Sequence, residues 1–372
     1  PRPFTVPLFY KIARSDPRNI VAMQKIVHSV TTFLLVFVLL LFFEKAISGY
    51  LLVAGIYLLM SWWNIFGWTF LLLSESLSMS LMFCWLASFL LLFKKPTRIV
   101  LLVHTVIVLL FSFTRDSWPY ILIAFYFLNL FIFYFLQKEM LRKTLFLLVF
   151  SVVLFFVQKQ TAQAGDRYRL PIINSIIIRI LPVPEYLNWF TDHGMPCAER
   201  LKKDFSHVNF YDTTVNLVFS LYSDSSYRVF HEWVSGKGQK TYITFLLTHP
   251  RYFFLLDESS KNTERVLSYN LSYAANARGY SYAVYKLFPV FNWAFVLILF
   301  VIAGFVKRWK EYSVYFLWVV FAVFTLNALL SYNADAFEVE RHLLVTQIII
   351  QFMGIISVAL LLDHINWKRF GI

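Results

Sequence analysis

The chain has 372 residues, of which 59% are hydrophobic, 20% aromatic and only 15% charged, with a mean hydropathy of +0.62. A soluble domain carries about 25% charged residues, so the composition excludes an ordinary soluble protein and points to a polytopic membrane protein. The net charge of +13 would suit nucleic acid, but the cations are distributed among the junctions of apolar runs, which excludes a nucleic-acid partner.

The first stretch, Pro1 to Lys25, holds Arg2, Lys11, Arg14, Arg18 and Lys25 against the single acid Asp16, with three prolines in its first seven residues. No short apolar core with a small-residue cleavage site follows, so it is not a signal peptide. The prolines predict a stiff loop at the membrane surface. Nine apolar stretches then run along the chain: Ile26–Phe43, Ile47–Trp63, Trp68–Phe93, Ile99–Phe113, Trp118–Leu136, Thr144–Val157, Leu287–Val306, Val314–Leu330 and Leu343–Leu362. Each is near or somewhat below the roughly 20 residues that a helix needs to cross the hydrocarbon.

The positive-inside rule orients them. With Pro1–Lys25 outside, the inner junctions are EKA at Glu44, KKPTR from Lys94, QKEMLRK from Gln137, KRWKEY from Lys307 and the tail DHINWKRFGI; they hold 12 Lys/Arg against 4 Asp/Glu. The short outer loops SWWNIFG, FTRDSWP and SYNADAFEVER hold 2 Lys/Arg against 4 acids. An outside start without a signal predicts a further span ahead of Pro1. The large segment Gln158–Lys286 is expected outside; long loops are poor witnesses for the rule, so its 15 Lys/Arg do not oppose that. Its apolar pieces Pro171–Leu181, Thr214–Tyr222 and Tyr242–Leu256 are too short to span and predict interfacial helices or a small cap domain. The expected architecture is therefore an all-α, polytopic transmembrane helical bundle: an N-terminal membrane region 1–157, an extracytoplasmic loop domain 158–286 and a C-terminal membrane region 287–372.

Ionisable groups near membrane depth are costly and usually line a cavity or a site. Glu75, among apolar residues and serines, is the clearest; it is a site carboxylate or a helix N-terminal acid that complements the dipole. Arg115 and Asp116 lie at the outer end of a span; Arg115 can bind a lipid phosphate as a planar fork, or the two form an interfacial charge pair with Trp118 as an aromatic anchor. Asp335, Glu338, Glu340, Arg341 and His342 fall within eight residues. Three acids there can bind a divalent cation or sugar hydroxyls, and Arg341 and His342 sit where a membrane-embedded phosphate would arrive. Asp192 and His193 can act as an acid/base pair, although loop tips commonly have this composition. His28 and His104 lie in apolar runs and are expected as packed, hydrogen-bonded residues. Asn270-Leu271-Ser272 is a glycosylation sequon of a kind that arises by chance. Cys84 and Cys197 are expected at different depths and unpaired, and no metal-binding cysteine spacing occurs. No P-loop, GxGxxG, HExxH or GxSxG pattern is present, so no further cofactor is expected.

The opening Arg2-Pro3-Phe4-Thr5-Val6-Pro7-Leu8-Phe9 resembles the first outer loop of GT-C membrane glycosyltransferases. The branch is that of the protein O-mannosyltransferases and the aminoarabinose transferase of lipid A, which typically have R-P-P-x-Y-P-L-F. Phe4 and Val6 depart from that pattern. Gln24 before a span, Ser74-Glu75 opening a long span, Arg115 at an outer end, a large late outer loop and Arg341-His342, where the family has Arg-Tyr, agree with it. The resemblance implies transfer of a sugar from a polyprenyl-phosphate donor to a glycan, lipid or protein acceptor on the extracytoplasmic face; the sparse cysteines and the absence of eukaryotic retrieval signals point to a bacterial inner membrane. Arg2, Lys11, Arg115 and Arg341 would hold the donor phosphate; Asp116, His342, Asp192 and His193 would contact acceptor or sugar. The family's catalytic acid would lie upstream of Pro1, with Glu75, Asp335 and Glu338 as candidates within the chain. Two other classes compete: an O-antigen polymerase or ligase, which would depend on Arg167, Arg169 and His193, and a transporter or structural subunit. A transporter should show paired broken helices in related halves, and no such symmetry is visible.

Overall fold

The computed structural model describes residues 3–61, 69, 74–165, 167–205, 221, 224–253, 293–306, 312–334 and 339–364. Arg2, Asp335, Glu338, the sequon and most of Thr214–Tyr222 lie outside them, as do the side chains of Arg341 and His342. Every element among the described residues is helical.

The chain opens with α1 (Thr5–Ile12), α2 (Pro17–Leu40), α3 (Ala46–Ser61), α4 (Ser74–Lys94), α5 (Arg98–Ser112), α6 (Trp118–Leu136) and α7 (Lys138–Ala164). The expected stiff loop at the start is instead a helix. Pro7 falls in the first turn of α1, where its missing N–H has no helical partner to lose. Two left-handed residues, Arg14 (φ 59°) and Ser15 (φ 56°), turn the chain out of α1. Asp16 then caps α2 by accepting from the Arg18 N–H at 2.7 Å, with Pro17 in its first turn. Thr97 caps α5 in the same way, accepting from the Val100 N–H at 3.3 Å.

Among the described residues, six helices are long and apolar enough to cross a membrane: α2, α4, α6, α7 and the two C-terminal segments Val314–Ala334 and Val345–Asp363. The chain is therefore an integral, multi-pass membrane protein. Helices also occupy the other three apolar stretches, two of them short, at Ala46–Met60 and Arg98–Ser112, and the third described at Trp293–Val306. Thr144–Val157 belongs to a longer helix that continues to Ala164.

The chain divides into two compact units, one of residues 1–161, 269–327 and 344–372 and the other of 162–268 and 328–343. In the first, α4 is a central helix, 78% buried over its span, and so is Val345–Asp363 at 83%, against 33% for α2 and 28% for α7. The outer helices turn their aliphatic and aromatic side chains outward, as in Ile26, Val30, Phe33 and Phe37 of α2. Lipid is as apolar as leucine, so helices associate through close packing and buried hydrogen bonds. Gly55 shows the first: a β-carbon there would stand 2.8 Å from the Ile355 side chain.

The second form is a closed ring. The Trp85 indole N–H donates to the Tyr126 hydroxyl at 3.0 Å, His104 Nε2 lies 2.8 Å from that hydroxyl and His104 Nδ1 lies 2.7 Å from Ser88 Oγ. Ser88 completes the circuit by donating to the Trp85 carbonyl at 3.0 Å. The indole can only donate and the carbonyl can only accept. Tyr126 must therefore donate to Nε2, and Nδ1–H must donate to Ser88, which fixes one neutral tautomer. His104 is thus packed and hydrogen-bonded as expected. His28, in contrast, packs near Phe83, and among the described residues neither ring nitrogen has a hydrogen-bond partner.

In the second unit apolar residues of Pro171–Leu181 and Tyr242–Leu256 join a core. Helices α8 (Arg169–Ser175), α9 (Pro184–Asp192), α10 (Ala198–Phe205), α11 (Arg228–Trp233), α12 (Gln239–Thr248) and α13 (Pro250–Phe253) belong to it. Ile172, Ile173, Ile176, Ile180, Phe190, Phe230 and Phe245 are buried together. Two wide π turns, Ile176–Ile180 and Val234–Gly238, follow α8 and α11. The remaining described helices are α14 (Trp293–Val306), α15 (Tyr312–Ala334) and α16 (Val339–His364).

Candidate functional site

Three of the sequence candidates meet at one end of the first unit's bundle. Glu75 lies in the first turn of α4, where a carboxylate complements the positive end of the helix dipole. Its side chain is only 2% exposed, and its Oε1 lies 3.9 Å from the Arg115 guanidinium, itself 13% exposed. Ser74 adds a hydrogen bond of 3.3 Å to Oε2. The charge partner of Arg115 is therefore Glu75, forty residues back in sequence, alongside its neighbour Asp116 in the α5–α6 corner. Asp116 is half-buried and accepts from the Gln158 side chain of α7 at 2.5 Å.

A short hydrogen-bond chain sets this geometry. The Trp118 indole donates to Ser78 at 2.5 Å, Ser78 and Thr114 share a bond of 2.9 Å, and Thr114 donates to the Phe111 carbonyl at 2.7 Å. Ser78 stands one turn after Glu75, and Thr114 directly precedes Arg115. The chain thus holds the α5–α6 corner against the first turns of α4 and brings the two charges together. Trp118 is 1% exposed, so the expected interfacial anchor is a buried strut.

Helix α1 packs on the same corner. Thr5 donates through its N–H to the Phe113 carbonyl at 3.2 Å and through its hydroxyl to the Leu110 carbonyl at 2.9 Å. Phe4 meets the Phe113 ring edge-on at 5.7 Å. Val6, Phe9 and Ala13 of the opening segment share a buried cluster with Ile20 and Leu77. Lys11 follows Phe9 by two residues, which is about 200° around a helix, and is exposed on the opposite face. It does not join the Glu75–Arg115 pair.

Asp192 and His193 belong to the second unit, at the exposed end of α9. His193 stacks on Trp189 at 3.7 Å between ring centres, and its Nδ1 lies 2.7 Å from the Trp189 carbonyl. These contacts hold the imidazole as a helix end-cap. Elsewhere in that unit Arg169, Asp224, Arg228, His231 and Glu232 line a groove of about 630 Å³. Arg169 reaches the His231 carbonyl at 3.4 Å.

Sequence reasoning missed two features. Gln158 looks like an ordinary polar residue at the end of a span, and only its contact with Asp116 marks it. Arg179 sits inside the π turn, buried, with its guanidinium 3.7 Å above the Tyr332 ring and donating to the Tyr332 carbonyl. Burial pushes the nearby Tyr242 and Tyr252 hydroxyls up from the ordinary tyrosine value. A charge in the middle of IIIRI was the available signal, since such a cation must be buried with partners or leave the core. Among the described residues no three His, Cys, Asp or Glu side chains converge as metal ligands.

The chain matches no protein-family model, no curated protein and no solved structure.

Proposed function

We propose that the chain is a membrane glycosyltransferase of GT-C type, which transfers a sugar from a polyprenyl-phosphate donor to a glycan, lipid or protein acceptor. The observation that carries this reading is the Glu75–Arg115 pair, with the half-buried Asp116 beside it, at the ends of membrane helices. A lipid-phosphate donor presents its phosphate at that depth. In the reaction a carboxylate takes the acceptor hydroxyl proton, the acceptor oxygen bonds to the anomeric carbon, and the bond from that carbon to the phosphate oxygen breaks with its electron pair leaving on phosphate. A positioned cation stabilises the charge that develops there. Arg115 has the required fork of donors, Glu75 orients it, and Asp116, oriented by Gln158, is the more exposed of the two carboxylates here. On this reading, Arg2 and Arg341 are additional phosphate ligands.

The test is transfer of radiolabelled sugar from a polyprenyl-phosphate donor by the full chain in proteoliposomes. Arg115→Gln is expected to lower the rate by about 10²-fold or more, as for loss of one donor to a developing anion, while Arg115→Lys keeps a measurable part. The paired variant Glu75→Gln/Arg115→Gln avoids leaving a buried unpaired carboxylate, so a folding defect is separable from a catalytic one. Absence of transfer to every lipid, glycan and protein acceptor offered, or a full rate in Arg115→Gln, would sink the proposal.

The groove of the second unit favours one rival, an O-antigen polymerase or ligase acting through Arg169. Loss of glycan polymerisation in Arg169→Ala, with Arg115→Gln unaffected, would select it.

A further inference from the structure

Helix α1 leaves a face uncovered. Its core side is Thr5, Val6 and Phe9, all buried. On the outer side Phe4 is 50% exposed, Leu8 38% and Ile12 63%, at four-residue spacing that lines them up as one stripe. Lys11 stands beside the stripe, and Arg14 and Arg18 follow in the turn and at the start of α2; all three are exposed. The one acid nearby, Asp16, uses its carboxylate to cap α2 at the Arg18 backbone.

Two observations fix what this face meets. Four residues separate α1 from α2, which is long and apolar enough to span the membrane. Thr5 bonds to the carbonyl of Leu110, in the last turn of α5, so α1 lies level with the end of a helix of the bundle. A helix at that level, with an apolar stripe and a cationic border, has the pattern of a segment lying in the interface. We propose that α1 is an interfacial anchor, its stripe buried at the acyl boundary and Lys11, Arg14 and Arg18 bound to the phosphates of anionic bilayer phospholipids. The proposal does not rest on the transfer reaction, because it needs only the exposure of these three cations and not the Glu75–Arg115 pair.

The three charges correspond to roughly a hundredfold preference of α1 for an anionic over a zwitterionic surface, at about 1 kcal/mol per charge and a factor of ten per about 1.4 kcal/mol. The test places an environment-sensitive NBD label at Ile12→Cys in the full chain, with Cys84→Ala and Cys197→Ser. The protein is reconstituted into vesicles of phosphatidylcholine alone or with phosphatidylglycerol. The expected result is brighter, blue-shifted emission with phosphatidylglycerol, reversed by high salt and abolished in the triple variant Lys11→Gln/Arg14→Gln/Arg18→Gln. The lipid comparison itself needs no charge variant, so a folding failure of the triple variant leaves the test intact. Identical emission in both lipids would overturn the proposal. So would a response to polyprenyl phosphate in phosphatidylcholine but none to phosphatidylglycerol; that result would return these cations to the donor and leave the transferase reading standing.

Discussion

The ring formed by Trp85, Tyr126, His104 and Ser88 makes a sharp prediction about how the bundle is held. Tyr126→Phe removes one oxygen and almost no volume, so it isolates the polar term from packing. Phe89 and Phe125 pack against Tyr126, and all three are fully buried. Full burial keeps bulk water from the place of the lost hydroxyl. The change strands two groups, the Trp85 indole N–H and His104 Nε2. An orphaned buried group costs about 1 to 3 kcal/mol, but interhelical bonds measured in a membrane protein average about 0.6 kcal/mol because the unfolded chain in lipid also finds partners. Two orphans therefore predict a loss of about 2 kcal/mol. Ser88→Ala strands only His104 Nδ1–H and should cost about half as much. The double variant should cost less than the two singles together by at least about 0.5 kcal/mol, since one cut already opens the ring. The assay is unfolding of the full chain in mixed micelles by increasing dodecyl sulfate, followed by circular dichroism. A Tyr126→Phe variant within about 0.3 kcal/mol of the unaltered chain, or strictly additive singles, would refute the ring as a unit.

Two further outcomes follow from the structure. Gly55→Ala places a carbon 2.8 Å from the Ile355 side chain, closer than atoms can stand; it should destabilise the bundle by about 1 to 3 kcal/mol in the same assay, with partial recovery in Gly55→Ala/Ile355→Ala. In the second unit the Tyr227 hydroxyl is pushed up to about 12, first by burial and then by its hydrogen bond to Asp204. Its contribution is therefore present in full below the unfolded tyrosine value of about 10 and is lost as pH rises through about 12. Alkaline titration followed by tyrosinate absorbance and helicity should show a late-ionising tyrosine that is absent in Tyr227→Phe; an unchanged titration would remove Tyr227 from the account.

The six long spans were legible in the sequence because a long apolar run has few other fates. The polar connections were not. Glu75 and Arg115 were each conspicuous as charges near membrane depth, but nothing local pairs residues forty positions apart. Their meeting depends on Ser78, Thr114 and Trp118, three residues of common type that matter only once two helices are side by side. Position also decides the aromatics: Trp118 has the composition of an interfacial anchor and is buried. Helix α1 was hidden for a different reason. Its prolines suggest a loop, whereas Pro7 in a first turn is compatible with a helix, and the buried positions Val6, Phe9 and Ala13 carry the helical spacing that reveals it. Arg179 shows the limit of periodicity, because a π turn shifts the phase of the side chains that follow it.

The burial pattern of the bundle has a consequence for its biogenesis. The most enclosed described span, Val345–Asp363, follows the other five described spans in chain order. A ribosome releases α2 to α6 long before it, so Gly55 and Phe83 wait without the helix that will cover them. Their eventual partners Ile355 and Phe352 are still to be translated. Until α16 is inserted, the interior of the bundle is a vacancy that lipid or an insertase must fill. Its arrival displaces that occupant and covers Gly55 and Phe83.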